Sequence, residues 1–118
     1  MKVLILDDER HRHDAYDKQY AGAEVWHAYT MRQFQDAWAK VRRFDVVSFD
    51  HDLAYSETGA EIAEWMVKRV TPSTTPGVCR VHSWNPVGAK AIMQILAAAG
   101  LNVERAPFAC ANAEVIDA

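Results

Sequence analysis

Short apolar runs alternate with amphipathic stretches along this chain. Val3-Leu4-Ile5-Leu6 is a continuous apolar run that stops at Asp7-Asp8, the pattern of a strand covered on both faces, as in a parallel sheet. A polar stretch over 9–19, with Tyr16 and Tyr20 four apart, predicts a short helix, and 24–29 predicts a second strand. Thr30 reads as an N-cap with Gln33 three residues on, a capping box; Phe34, Ala37, Trp38 and Val41 then fall on one face of a helix reaching residue 41. The run 44–49, centred on Val46 and Val47, predicts a buried strand ending in Asp50-His51-Asp52. After a loop over 53–57, Thr58 and Glu61 form a second capping box ahead of the apolar face Ile62, Trp65, Met66 and Val70. The stretch 71–77 is a loop by its Thr, Ser, Pro and Gly content, and 78–81 is a strand ending in His82-Ser83. Asn85-Pro86 reads as N-cap and first helical residue, with Val87, Ala91, Ile92, Ile95, Leu96 and Ala99 as the buried stripe of that helix. Gly100 suits the residue just past its end, with Leu101 closing the contact. A last short strand is predicted over 101–105, and the weakly patterned tail over 107–118 leaves a final helix short or absent.

Strands alternating with helices predict an α/β fold with a parallel sheet and right-handed crossovers; the expected sheet is doubly wound and five-stranded, of order 2-1-3-4-5. The 118 residues suit a single domain over 1–118. The net charge of −3 argues against an extended nucleic-acid groove or a membrane-surface binder, both of which use a large positive field, yet leaves room for a small phosphate-bearing substrate or an RNA end. Cys79 and Cys110 lack C-x-x-C spacing, so neither a zinc knuckle nor a disulfide scaffold is expected. Cys79 reads as a small buried hydrophobe. Only four apolar residues separate Lys2 from Asp7, too few for a signal peptide or membrane span, so a cytoplasmic setting is expected.

The chemistry gathers at strand ends. Asp7-Asp8, Asp50-His51-Asp52 and His82-Ser83 end the first, third and fourth strands, which are neighbours in the predicted order, at the crevice where such sheets bind ligands. Each cluster alone reads as solvated loop charge or capping; together they make one site. Asp7, Asp8 and Asp50 would hold a divalent cation, Mg²⁺ by their oxygen ligands, with Mn²⁺, Fe²⁺ or Zn²⁺ favoured if imidazole joins. His51 and His82 could give or take a proton near neutrality, flanking a phosphorus centre as base and acid. Asp52 would orient one histidine, while Ser83, Asn85 and the helix start, with Arg10, would meet a phosphate. Lys90 adds charge one turn on. His11, His13 and Arg12 read as solvated surface; Trp26, Trp38 and Trp65 read as packing residues, and Trp84 as either a stacking surface or a cover for the sheet edge.

These residues carry a resemblance. The plan, the acidic pair and the third-strand Asp are similar to the receiver domain of response regulators. Closer still is the cyclic-phosphate processing receiver domain, with its L-D-D-x-R, D-H-D-L, T-G and H-S-x-N-P-x-G motifs. Here they are Leu6-Asp7-Asp8-Glu9-Arg10, Asp50-His51-Asp52-Leu53, Thr58-Gly59 and His82-Ser83-Trp84-Asn85-Pro86-Val87-Gly88, a likeness running from Met1 to Leu101. The resemblance implies a hydrolase-like, metal-assisted phosphoesterase, a cyclic phosphodiesterase of 2′,3′-cyclic RNA ends or cyclic nucleotides, with Mg²⁺ or Mn²⁺ as cofactor. The alternative is a non-catalytic module that binds a nucleotide or a protein. A phosphoacceptor using Asp50 ranks third, because Arg105-Ala106-Pro107-Phe108 stands where receivers carry Lys immediately before Pro-Phe.

Overall fold

The computed structural model describes residues 1–54 and 57–107. The expected tail beyond 107, with Phe108 and Cys110, lies outside them. The chain runs β1 (Lys2–Leu6), a 3₁₀ turn (Arg10–Arg12), α1 (His13–Gln19), β2 (Glu24–Ala28), α2 (Met31–Lys40), β3 (Val46–Phe49), α3 (Gly59–Val67), β4 (Val78–Val81), α4 (Pro86–Ala98) and β5 (Val103–Arg105). The five strands form one sheet of order β2-β1-β3-β4-β5, every neighbouring pair parallel. That is the expected sheet, in the expected order.

Alternation along the strands divides the core in two. Leu4, Leu6, Val47, Phe49, Cys79 and Val81 face α2, α3 and α4, packing on Phe34, Ile62, Met66, Ile92 and Leu96. Val3, Ile5 and Val46 face the other way, onto Tyr16 of α1. Among the described residues no helix is long and apolar enough to cross a membrane.

Most element ends follow local signals. Thr58 and Glu61 make the reciprocal capping box. Thr30 accepts from the Gln33 N–H at 3.2 Å, but the Gln33 side chain reaches Tyr29 N–H rather than Thr30, at 2.7 Å. Gly100 takes φ +80, its N–H donating to Ala97 and that of Leu101 to Leu96, the six-to-one closure expected of a helix ended by glycine. The helix expected over 9–19 is split. Asp7 Oδ1 accepts the Glu9 N–H at 2.8 Å, which turns the chain locally and delays α1 to His13.

The stripe expected on α4 is corrected. Gly88, Ala89, Ile92 and Leu96 are the buried residues, while Val87 is exposed and Ala99 lies on the surface. The helix is turned so that Gly88 faces inward, where the absence of a Cβ leaves room for the His51 ring. Cys79 is fully buried and its thiol is pushed up to about 12 by burial. In a Cys110→Ser variant, native Cys79 is expected to react with a thiol reagent at least about a thousandfold more slowly than after unfolding, given an ordinary thiol near 8.5. Native and unfolded rates within tenfold of each other would contradict that burial.

Candidate functional site

Register brings the site together. Leu6 pairs with Phe49 and Phe49 with Val81, so the next residues, Asp7, Asp50 and His82, form a row across three neighbouring strand ends. By alternation all three leave the sheet on the α1 side. Their ligand atoms lie within 4.8 Å of one another, and all three residues are buried. Among the described residues this is the group that could hold a metal.

A hydrogen-bonded chain fixes the row. His82 Nε2 meets Asp7 Oδ2 at 3.1 Å and His82 Nδ1 meets Ser48 Oγ at 2.7 Å. Tyr16 O–H donates to Asp7 Oδ2 at 2.9 Å and Arg12 Nη1 donates to the same oxygen at 3.2 Å. Burial alone would raise the Asp7 carboxyl, but the hydrogen bond and charge of His82, the Glu9 N–H and Arg12 outweigh it and hold the group below the usual carboxylate range. Asp50 goes the other way: burial raises it and the Asp7 charge adds to the rise, against the pull of His82. Burial, then Asp7, pushes the Tyr16 hydroxyl far up, so it serves as an O–H donor.

The other predicted residues leave on the opposite side or along the rim. His51 packs on the first turn of α4, where a Cβ at position 88 would come closer than 3.0 Å to its ring. Its Nδ1 is buried without a hydrogen-bond partner. Its N–H donates to Asp50 Oδ1 and its carbonyl accepts the Gly59 N–H, both at 2.8 Å. The two histidines thus sit on opposite faces of the sheet end. Asp8 Oδ2 accepts the Ala54 N–H at 2.6 Å, and His82 stands in the converging group where Asp8 was expected. The hydrogen bonds that orient a histidine come from Asp7 and Ser48; those shown for Asp52 come from Asn85 Nδ2, at 3.3 and 3.4 Å. Ser83 Oγ accepts the Asn85 N–H at 3.1 Å and Asn85 Oδ1 the Gly88 N–H at 3.0 Å. Lys90 is exposed.

Arg12, Tyr16 and Ser48 were missed as site residues. The basic cluster expected at the surface is corrected in part. Arg12 is half-buried on Asp7, and the His13 ring is half-buried, stacked 4.2 Å from His27, with its Nδ1 meeting the Tyr29 hydroxyl at 3.1 Å. Arg10 remains exposed, 4.8 Å above the Tyr29 ring. Ser48 had a signal: a polar residue inside the apolar run Val46-Val47-Ser48-Phe49 needs a buried partner. Arg12 and Tyr16, four apart on one helical face, had one only after Asp7 was placed on that side.

The donors suit a divalent cation. Two buried carboxylates, one of them raised by burial and by its neighbour's charge, are a pair that a cation would relieve. Ser48 on Nδ1 leaves Nε2 of His82 as the candidate ligand; a ligating histidine commonly has its other ring nitrogen hydrogen-bonded in this way. Two oxygens with one imidazole suit Mn²⁺, Fe²⁺ or Zn²⁺ as well as Mg²⁺. A hollow of about 710 Å³ beside Met1, Tyr20, Val46 and Val78 lies toward the other end of the strands.

A family model described as the cyclic-phosphate processing receiver domain matches residues 2–98. No curated protein matches the sequence. Among solved structures, the BeF3-activated receiver domain of DrrB, a Thermotoga maritima OmpR/PhoB homolog, is similar at 19% identity and TM-score 0.67, over 98% of this chain and 90% of that one. The NtrX receiver domain from Brucella abortus is similar at 19% identity and TM-score 0.65, over 97% and 92%. A CheY-like receiver domain protein from Methanospirillum hungatei JF-1 follows at 21% identity and TM-score 0.61, over 90% and 79%. The chain spans only 25% of the longer NtrX chain solved with ADP. At these identities the likeness is one of fold.

Proposed function

We propose that this chain, which belongs to the cyclic-phosphate processing receiver domain family, is a metal-assisted phosphoesterase that opens cyclic phosphates. The observation that carries the reading is the buried convergence of Asp7, Asp50 and His82 within 4.8 Å, at the sheet edge where α/β folds bind ligands. Asp7, Asp50 and His82 Nε2 would hold Mg²⁺ or Mn²⁺, and the bound cation would supply charge neutralisation at the phosphate oxygens.

The remaining roles follow from which groups are engaged. Ser48 holds Nδ1 of His82, and Nε2 faces the Asp7 carboxylate with which it would share the cation, so His82 serves as ligand and positioner. His51 is then the group for proton transfer, its ring held in place by the first turn of α4. Arg12 and Tyr16 position the Asp7 carboxylate. Ser83, Asn85 and the start of α4 offer polar groups along the rim.

The test is ³¹P NMR of 2′,3′- and 3′,5′-cyclic nucleotides and a cyclic-ended oligonucleotide, with Mg²⁺, Mn²⁺ or EDTA. Ring opening that needs the metal is expected. His51→Ala should lower turnover by about 10²–10⁴ while metal affinity stays unchanged; His82→Ala should weaken both. Absence of ring opening across the panel, from folded protein, would replace hydrolysis with a non-catalytic binding role.

A further inference from the structure

Beside the acidic row, the start of α4 turns apolar side chains outward. Trp84 is 63% exposed and Val87 79%, although their neighbours Ser83 and Gly88 are buried. Single exposed hydrophobes are ordinary, but two within one turn, at the rim of a buried polar group, point to a contact with something else. The turn that carries them is tied down. Ser83 accepts from the Asn85 N–H, Asn85 accepts from the Gly88 N–H, and Asn85 Nδ2 donates to Asp52. Pro86 further fixes the start of the helix. The turn that carries Trp84 is therefore a built one rather than a loose loop. Trp84 follows His82 by two residues, and two residues span at most about 7 Å. Trp84 is thus a close neighbour of His82 along the chain, at the rim of the row.

From this juxtaposition we infer that Trp84, with Val87 beside it, is the stacking surface for the base of a nucleoside cyclic phosphate, so that the site takes nucleotides in preference to cyclic phosphates without a base. The inference rests on the phosphoesterase reading for where the phosphate sits. Every base offers a π-face, so stacking tolerates sequence, and loss of one such contact weakens binding by about 5- to 150-fold. A purine, with the larger face, binds more tightly than a pyrimidine. With a net charge of −3, such a surface reads one terminal or free nucleotide rather than a length of strand.

The test follows the indole N–H of Trp84 by ¹H–¹⁵N NMR, assigned with Trp84→Phe. The ligands are 2′,3′-cyclic AMP, 2′,3′-cyclic CMP and glycerol 1,2-cyclic phosphate, in Mg²⁺, with ³¹P spectra of the same samples reporting ring opening. The indole signal should move with both nucleotides and stay in place with the glycerol compound. Trp84→Ala should lose roughly tenfold or more in nucleotide affinity and nothing for the glycerol compound, while Trp84→Phe keeps most of it. Nucleotide affinity within twofold of wild type in Trp84→Ala, or binding with a stationary indole, overturns the inference. The two readings fail separately. A moving indole without ring opening keeps the base site and removes hydrolysis; ring opening with a stationary indole does the reverse. No nucleotide binding by folded protein removes the base site.

Discussion

Gly59→Ala is expected to lower the unfolding free energy by about 3 kcal/mol or more, the upper range for overpacking. A Cβ at this position would come closer than 3.0 Å to the carbonyl oxygen and carbon of Asp50 and to Cα of His51. These are backbone atoms, so no rotamer change relieves the overlap. Asp50 itself is pinned, its N–H donating to Leu6 at 2.9 Å. Either α3 lifts from the strand end or the Asp50 carboxylate moves, so metal affinity should fall with stability. Gly88→Ala meets a side chain instead, the His51 ring, which can swing away. Its cost should be smaller, about 1–3 kcal/mol, but turnover should drop while metal binding is kept. Urea unfolding of both variants decides the first point. A Gly59→Ala protein within about 0.5 kcal/mol of wild type, the range of an ordinary surface substitution, would show that the close approach of α3 to Asp50 is not real.

Opposite signs are expected at the two buried carboxylates. Asp7→Ala removes the acceptor shared by Arg12, Tyr16 and His82 and should cost about 3 kcal/mol, the lower end for breaking a buried pair, because half-buried Arg12 can turn to water. Asp50→Asn, measured with EDTA at neutral pH, should leave stability unchanged or raise it. Burial and the Asp7 charge disfavour its ionised form, and the substitution removes that charge. The pH dependence follows the same division. Asp7 is held below the ordinary carboxylate range, so its contribution is present above that range and lost as pH falls through its lowered value. Asp50 is raised, so stability declines as pH rises from the ordinary range through its raised value, then levels. Asp50→Asn should abolish that decline, and Asp7→Asn should blunt the loss on the acid side. Urea midpoints taken from acid to neutral pH check both. An Asp50→Asn protein clearly less stable than wild type in EDTA would contradict the electrostatic account of the row.

Much of the architecture was readable because its causes are local. The run Val3-Leu4-Ile5-Leu6, the capping box of Thr58 and Glu61, and the Gly100 closure each act within a few residues, and the structure keeps all three. The rotation of α4 was not readable, because Val87 and Gly88 are both compatible with a helical stripe. What turns Gly88 inward is the His51 ring, 37 positions earlier in the chain.

The sequence alone determined the strands, the parallel sheet and the strand ends at which charge collects. Apolar runs ending in Asp or His place those residues at the C-terminal edge whatever else happens. Tertiary structure decided which of them meet. Register puts Asp7, Asp50 and His82 in one row, and side chains alternate between faces, so His51, one residue past Asp50, turns to the other side, onto the first turn of α4. It likewise chose Arg12 over Arg10 for Asp7, because only the residue on the inner side of the turn into α1 reaches the α1 face of the sheet. A one-residue step costs nothing in a sequence motif but changes the face, and only the assembled sheet fixes which face is which.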